Sequence, residues 1–172
     1  YIANNHFDVN SAYLSKVGDD QLSEEMLQFM SDNRVDIKYV KKVTGSTTGL
    51  YLISLVNGER TFSYWRNNSA AKLLAQSPDD LESAMKDQDI IYFSGITLAI
   101  LDTNSRENLF SGLKLARHAG TKIAFDPNIR PKLWTDRNEM CEVIMAGPNL
   151  SDIILPSFED EAVWFSDTDP NS

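Results

Sequence analysis

This chain of 172 residues has one cysteine, two histidines and more acidic than basic side chains, and each shortage removes a class of function. With Cys141 alone no internal disulfide closes, and a reducing cytoplasm is the expected compartment. Cys141 sits in a helical stretch, Asn138 to Ile144, where a small core role is expected. His6 and His118 lie far apart without ligand-spaced neighbours and read as surface or helix-end residues, so zinc is not expected. The net charge of −9, with no basic cluster, argues against nucleic acid as a partner. No apolar run approaches membrane-spanning length, so no membrane partner is expected. No charged-then-apolar leader opens the chain, and export is not expected. There is no Gly-x-Gly-x-x-Gly and no Walker loop, and no convincing Ser/His/Asp or Cys/His arrangement. Repeats, low-complexity tracts and Gly/Pro/Ser-rich linkers are absent too.

What is present is a chain 42% hydrophobic, long enough for one domain with a sizeable core. Tyr1 to Asn4 reads as the last turn of a helix, Ser11 to Val17 as a strand, and Gly18-Asp19-Asp20 as a turn and helix cap. A helix is expected from Asp20 to Asp32, with Leu22, Met26, Phe29 and Met30 as its apolar stripe. Val35 to Lys41 reads as a strand leading into a hairpin. Ser77-Pro78 opens another helix. Ile90 to Gly95 and Lys122 to Asp126 read as parallel strands buried on both faces. A helix from Ser105 to Ala119, with Leu109, Phe110, Leu113 and Ala116 inward and Gly120 beyond its end, separates them. A helix from Asp136 to Met145, a strand from Asp152 to Pro156 and a short helix starting at Ser157-Phe158-Glu159-Asp160 complete the order. Strands alternating with such helices imply an α/β fold with a parallel sheet. Ligands then bind beyond the carboxyl ends of the strands, where Ser94 to Thr97, Asp126 to Arg130 and Ser157 to Glu161 fall.

The most informative stretch is Gly49 to Arg66. Two β-type runs flank Asn57-Gly58, a strong two-residue hairpin signal. Such a turn sets Val56 against Glu59 and Tyr51 against Tyr64. One face then carries Tyr51, Ile53, Leu55, Arg60, Phe62, Tyr64 and Arg66. Two phenols and a guanidinium at the open end suit a small polyhydroxy acid: phenols stack on a sugar, and Arg grips a carboxylate with two parallel bonds. A three-residue turn with a bulge would shift the pairing and break the arrangement. The alternative is a purely structural ribbon, since aromatic cross-strand pairs stabilise hairpins without a ligand.

The second stretch is Asp126-Pro127-Asn128-Ile129-Arg130, directly after a buried strand. Asn128 offers donor and acceptor, and Arg130 a fork for carboxylate or phosphate. An ordinary loop with an Asp126–Arg130 ion pair is the competing reading. Gly45-Ser46-Thr47-Thr48-Gly49 reads as a loop feeding the hairpin rather than a phosphate cradle. Glu159, Asp160 and Glu161 read as a solvated helix start rather than a magnesium site.

Val17-Gly18-Asp19-Asp20, the ribbon ending Tyr64-Trp65-Arg66-Asn67, Tyr92-Phe93-Ser94-Gly95-Ile96 and Phe125 to Trp134 occur in the order and spacing of the ribokinase-like (phosphofructokinase-B) sugar kinases. Gly49-Leu50-Tyr51, Gly58-Glu59-Arg60-Thr61-Phe62 and Ser94-Gly95-Ile96 resemble the 2-keto-3-deoxygluconate kinases within that family. The resemblance covers essentially the whole chain. It implies a partial three-layer α/β/α sandwich over residues 1–172, with a small antiparallel β lid inserted at about 35–66. It implies transfer of the ATP γ-phosphoryl group to 2-keto-3-deoxygluconate with magnesium, and a homodimer through the lid. By the same resemblance Tyr51, Tyr64, Arg66 and Arg130 are substrate-binding, and Asn128 and Arg130 lie on the phosphate side. The family's initial Gly-Gly-Asp sugar motif and its later Gly-Ala-Gly-Asp, with the catalytic Asp, have no match here. No residue of this chain is therefore expected to be catalytic, and the segment alone is expected to be inactive. Ser157-Phe158-Glu159-Asp160 also departs from the family's Asn-x-x-Glu. The alternatives are a fructokinase or other sugar kinase of the same superfamily, and a non-catalytic sugar-acid binding and dimerisation module.

Overall fold

In the computed structural model, residues 7, 9–56, 58–165 and 168 are described. The helical turn expected at Tyr1 to Asn4, His6, and the turn residue Asn57 lie outside them. The chain divides into two compact units, Tyr1–Leu74 and Ala75–Ser172.

In the first unit both expected strands break in two. Ser11 to Val17 becomes β1 (Ser11–Ala12) and β2 (Ser15–Val17), and Val35 to Lys41 becomes β3 (Val35–Asp36) and β4 (Val40–Lys42). The second break has a local cause. The Asp36 carboxylate accepts from the Lys38 amide at 2.9 Å and Val40 N–H donates to the Ile37 carbonyl at 2.8 Å. This turn takes the backbone out of the ladder. β1 pairs with β3 and β2 with β4, both parallel, and helix α1 (Gln21–Asp32) is the crossover between them. Asp20 caps α1, its carboxylate accepting from Ser23 N–H at 2.7 Å. The buried face of α1 is Ser23 and Leu27, with Met26 and Met30 half-buried. The expected stripe is therefore rotated: Leu22 and Phe29 are exposed. The reason is a polar anchor, the Ser23 hydroxyl bonded to the Thr48 hydroxyl at 2.8 Å, which turns Ser23 inward. β5 (Leu50–Val56) and β6 (Glu59–Trp65) form an antiparallel ribbon exposed on both faces.

In the second unit β7 (Ile90–Ser94), β8 (Lys122–Asp126) and β9 (Ile153–Ile154) form a parallel sheet in the order β7-β8-β9. Helix α2 (Pro78–Met85) begins where Ser77 was expected to cap it, the Ser77 hydroxyl accepting from Asp80 N–H at 3.2 Å. Helices α3 (Gly95–Ile100) and α4 (Thr103–His118) join β7 to β8, and α5 (Arg137–Leu150) joins β8 to β9. A strand order running one way with right-handed crossovers places α4 and α5 on the same face. Within this unit and among the described residues β7 is the outer strand of the sheet, covered on one side. Phe93 is buried against Phe125 with ring centroids 4.7 Å apart, while Ile90 and Tyr92 point outward and are exposed. The expectation of two buried faces holds for β8, whose Ile123, Ala124 and Phe125 are buried, and fails for β7.

α4 buries Leu109, Leu113 and Ala116, and Phe110 is half-buried. It ends in a Schellman motif: Thr121 N–H donates to the Ala116 carbonyl at 3.1 Å and Gly120 N–H to Arg117 at 3.0 Å, with Gly120 at φ +107°. α5 runs five residues past the expected Met145, through Gly147 and Pro148. β9 is only two residues long, where five were expected. Helix α6 (Phe158–Phe165) closes the described fold. Cys141 is half-buried, its thiol 3.8 Å from the Trp164 carbonyl, and His118 is the last residue of α4.

Candidate functional site

The ribbon folds in the register that a two-residue turn dictates. Val56 faces Glu59, Ile53 faces Phe62, and Tyr51 faces Tyr64, with Gly58 at φ +85°. Side chains alternate along each strand, so Tyr51, Phe62 and Tyr64 share one face. Their centroids are 6.3 Å apart from Tyr51 to Phe62, 6.3 Å from Tyr51 to Tyr64, and 6.1 Å from Phe62 to Tyr64, the last pair stacked. The Arg66 guanidinium lies over this group, 4.4 Å from the Tyr64 centroid and 5.7 Å from that of Tyr51. Both tyrosines are about half exposed. Among the described residues no carboxylate lies within ion-pair distance of Arg66. A planar cation held on two rings, with open N–H groups, is ready to take an anion bidentately. Phe62, expected on this face but not among the expected substrate contacts, is the third ring of the group. Its place follows from the register, which sets it diagonally across from Tyr51 and two residues before Tyr64 on the same face.

The loop leading into the ribbon is pinned by Asp19 and Asp20. Asp19 accepts from Gly45 N–H at 3.2 Å and Asp20 from Thr48 N–H at 3.2 Å, while Thr47 N–H donates to the Asn68 carbonyl and Ser46 N–H to Val43. The amides of residues 45–48 are thus occupied, and the loop feeds the hairpin instead of cradling a phosphate. The Ser23 amide first, then the Ser23 hydroxyl and the Thr48 amide, hold the Asp20 carboxyl below its ordinary range.

In the second unit β8 ends at Asp126, whose carboxylate accepts from the Tyr92 hydroxyl at 2.9 Å. Partial burial, and then this bond, push the Tyr92 phenol above its ordinary pKa. The alternative Asp126–Arg130 ion pair is not formed. Arg130 is exposed and donates to its neighbour, the Ile129 carbonyl, at 2.8 Å. Asn128 adopts φ +35°, a left-handed conformation Asn tolerates better than most residues. Ile129 beside it is 2% exposed. A Cβ on Gly95 would run into the Pro127 carbonyl and the Ile144 side chain, so the first turn of α3 seats directly on this loop. The loop's far end is a 3-10 turn, Pro131–Leu133, followed by Trp134 under the Arg106 guanidinium.

The sequence-expected residues therefore fall into two sets, Tyr51, Tyr64 and Arg66 on the ribbon, and Asn128 and Arg130 on the loop after β8. Glu159 and Asp160 begin α6, and the side chain of Glu161 lies outside the described residues. Among the described residues no three side chains of metal-binding type gather, so none is assigned to a magnesium ion. No described helix is long and apolar enough to cross a membrane.

Residues 2–172 match the family model described as pfkB family carbohydrate kinase. A 2-dehydro-3-deoxygluconokinase of Haemophilus influenzae is 40% identical over 156 residues, covering 88% of this chain and 50% of the relative. A fructokinase of Vibrio alginolyticus is 30% identical, covering 92% of this chain and 50% of the relative. An uncharacterized sugar kinase from Pyrococcus horikoshii, solved in complex with ATP, superposes with a TM-score of 0.79 at 26% identity, covering 92% of this chain and 51% of the other. The chain spans about half the length of the curated relatives it matches.

Proposed function

Because this chain belongs to the pfkB family of carbohydrate kinases, we propose that the full-length protein transfers the γ-phosphoryl group of ATP to 2-keto-3-deoxygluconate (2-dehydro-3-deoxy-D-gluconate), giving the 6-phosphate. The observation that carries the substrate is the Arg66 guanidinium over Tyr51 and Tyr64, without an acidic partner among the described residues. A keto acid brings a carboxylate for this cation and hydroxyls for the phenols. A neutral sugar would leave the cation without use. The name borne by the Haemophilus influenzae relative supports the same reading.

In this reading Tyr51, Tyr64, Arg66 and Arg130 bind the sugar acid, and Asn128 and Arg130 face the phosphates. Phosphoryl transfer rests on positioning and charge stabilisation. The acceptor hydroxyl loses its proton as its oxygen attacks the γ-phosphorus, and ADP leaves opposite. No residue of this chain is assigned the base. Arg66 fixes the acceptor's carboxylate end, and Arg130 lowers the charge on the transferring group. The reaction belongs to a reducing cytoplasm, in which Cys141 stays a free thiol.

A fructokinase is the second reading, favoured by the 30% identity to the Vibrio alginolyticus fructokinase. A non-catalytic sugar-acid binding and dimerisation module is the third, favoured by a ribbon apolar and exposed on both faces. ADP release by the full-length protein, given ATP-magnesium with the keto acid and separately with D-fructose, separates them. Turnover of the keto acid alone is expected. Turnover of fructose alone overturns the substrate, and turnover of neither moves the reading to the binding module.

A further inference from the structure

We propose that Arg106 is a positioning residue for the loop carrying Asn128 and Arg130, and that it acts through the Trp134 ring and Glu139. The inference rests on the reading of Arg130 as a substrate contact.

The loop is tied at both ends. Upstream it is held by β8, by the Gly95 seat beneath Pro127 and by the buried Ile129 side chain. Downstream, the backbone of Arg130 opens the 3-10 turn. Leu133 N–H donates to the Arg130 carbonyl at 2.9 Å, and Trp134 N–H to Pro131 at 3.0 Å. Where that turn sits depends on where the Trp134 ring sits. The indole nitrogen of Trp134 is buried and finds no acceptor among the described residues. A buried Trp is ordinarily oriented by its N–H bond. Here the polar contact left to the ring is its face, and the Arg106 guanidinium lies 5.4 Å from its centroid.

Arg106 is itself fixed. Its Nε donates to the Leu101 carbonyl at 3.2 Å and its Nη2 to Glu139 Oε1 at 2.8 Å, and its side chain is only 12% exposed. Glu139 lies in the first turn of α5, its amide bonded to the Asp136 cap at 2.7 Å. One guanidinium therefore joins the start of α4, the start of α5 and the end of the loop between β8 and α5. Only a planar fork stacks on a ring and bonds two acceptors at once, so Lys is no substitute. Desolvation of the cation strengthens its hold on the ring. A shift of the ring passes to the Pro131–Leu133 turn and so to the Arg130 backbone, and small misplacements of binding groups cost rate heavily.

The test uses the full-length kinase and the variants Arg106→Met, Arg106→Lys, Arg130→Ala and Arg106→Met with Arg130→Ala. Hydrogen exchange is followed by mass spectrometry, and kcat and KM are measured for the keto acid. Arg106→Met is expected to raise exchange in residues 127–134 selectively and to lower kcat/KM by about tenfold or more. Added to Arg130→Ala it is expected to cost no more than about a further twofold, as coupled sites do. Arg106→Lys is expected to remain impaired. Unchanged exchange in 127–134, or a loss that multiplies in full onto Arg130→Ala, overturns the proposal. If Arg130→Ala alone leaves the kinetics intact, the reading of Arg130 falls, while the exchange result still decides whether Arg106 holds the loop. Should Arg106→Met fail to fold, Trp134→Leu replaces it, with the same loop-confined exchange expected and the same overturning result.

Discussion

At the scale of single residues, the candidate site turns on how Arg66 is held. A guanidinium resting on two phenol rings has lost rotamer freedom before any ligand arrives, and its remaining N–H groups meet no carboxylate among the described residues. Charge-assisted pairs are worth more than neutral hydrogen bonds, so Arg66→Ala is expected to raise the KM for the keto acid by about tenfold or more, with kcat changed less. Arg66→Lys is expected to recover little, because an ammonium offers no bidentate fork. Steady-state kinetics of the full-length protein check both, and an unaltered KM in Arg66→Ala defeats the carboxylate clamp. Asp20 makes a different prediction. Its carboxyl is held below its ordinary range by the Ser23 amide and hydroxyl and the Thr48 amide. The ionised form is thus the one the fold favours. Its stabilising effect is full above the unfolded-state pKa near 4 and fades as pH falls towards the lower folded value. In urea titrations the midpoint of the parent is expected to exceed that of Asp20→Asn at pH 7, with the gap narrowing below pH 4. A gap independent of pH would show that ionisation of Asp20 does not matter.

Elements place these residues through contacts that pair distant stretches of chain. The loop after β8 stands where it does because α3 begins on a residue without a side chain. Gly95→Ala puts a methyl group into the Pro127 carbonyl, a backbone atom that cannot swing aside. Overpacking of this kind costs about 1–3 kcal/mol. A lowered urea midpoint and weakened keto-acid turnover are expected together, and an unshifted midpoint would show that the loop yields freely. The ribbon was legible in the sequence because Asn57-Gly58 set a turn length, and a turn length sets every pair that follows. The helix starts at Asp20 and Ser77 were legible for the same local reason: a side-chain oxygen and an amide three residues on bond directly. Helix α5 outruns its expected end at Met145 although it contains Gly147 and Pro148, ordinarily helix breakers. Gly147 lets the helix lie against the Phe125 ring, and Pro148 falls in the last turn. The stripe of α1 was misread because the Ser23–Thr48 bond spans 25 residues, a pairing that no periodicity reveals.

At the scale of the whole molecule, the ribbon leaves Leu50, Leu52, Val56 and Trp65 exposed on the face opposite Tyr51 and Arg66. An apolar surface of this kind on a two-stranded ribbon calls for cover. In the homodimer that the family resemblance implies, a second lid would supply it. The full-length protein is expected to sediment as a dimer, and Leu52→Glu to shift it towards monomer; a dimer insensitive to that change would place the interface elsewhere. Sequence alone determined the α/β class, the family resemblance, the hairpin register and the face shared by Tyr51, Tyr64 and Arg66, because turn length, strand alternation and capping act over a few residues. Tertiary structure alone decided which face of α1 is buried, that β7 is covered on one side, that Asp126 bonds Tyr92 rather than Arg130, and that Arg106 clasps Trp134. Each of these depends on which of several partners, far apart along the chain, is brought within about 3–6 Å, the range over which hydrogen bonds and ring contacts act.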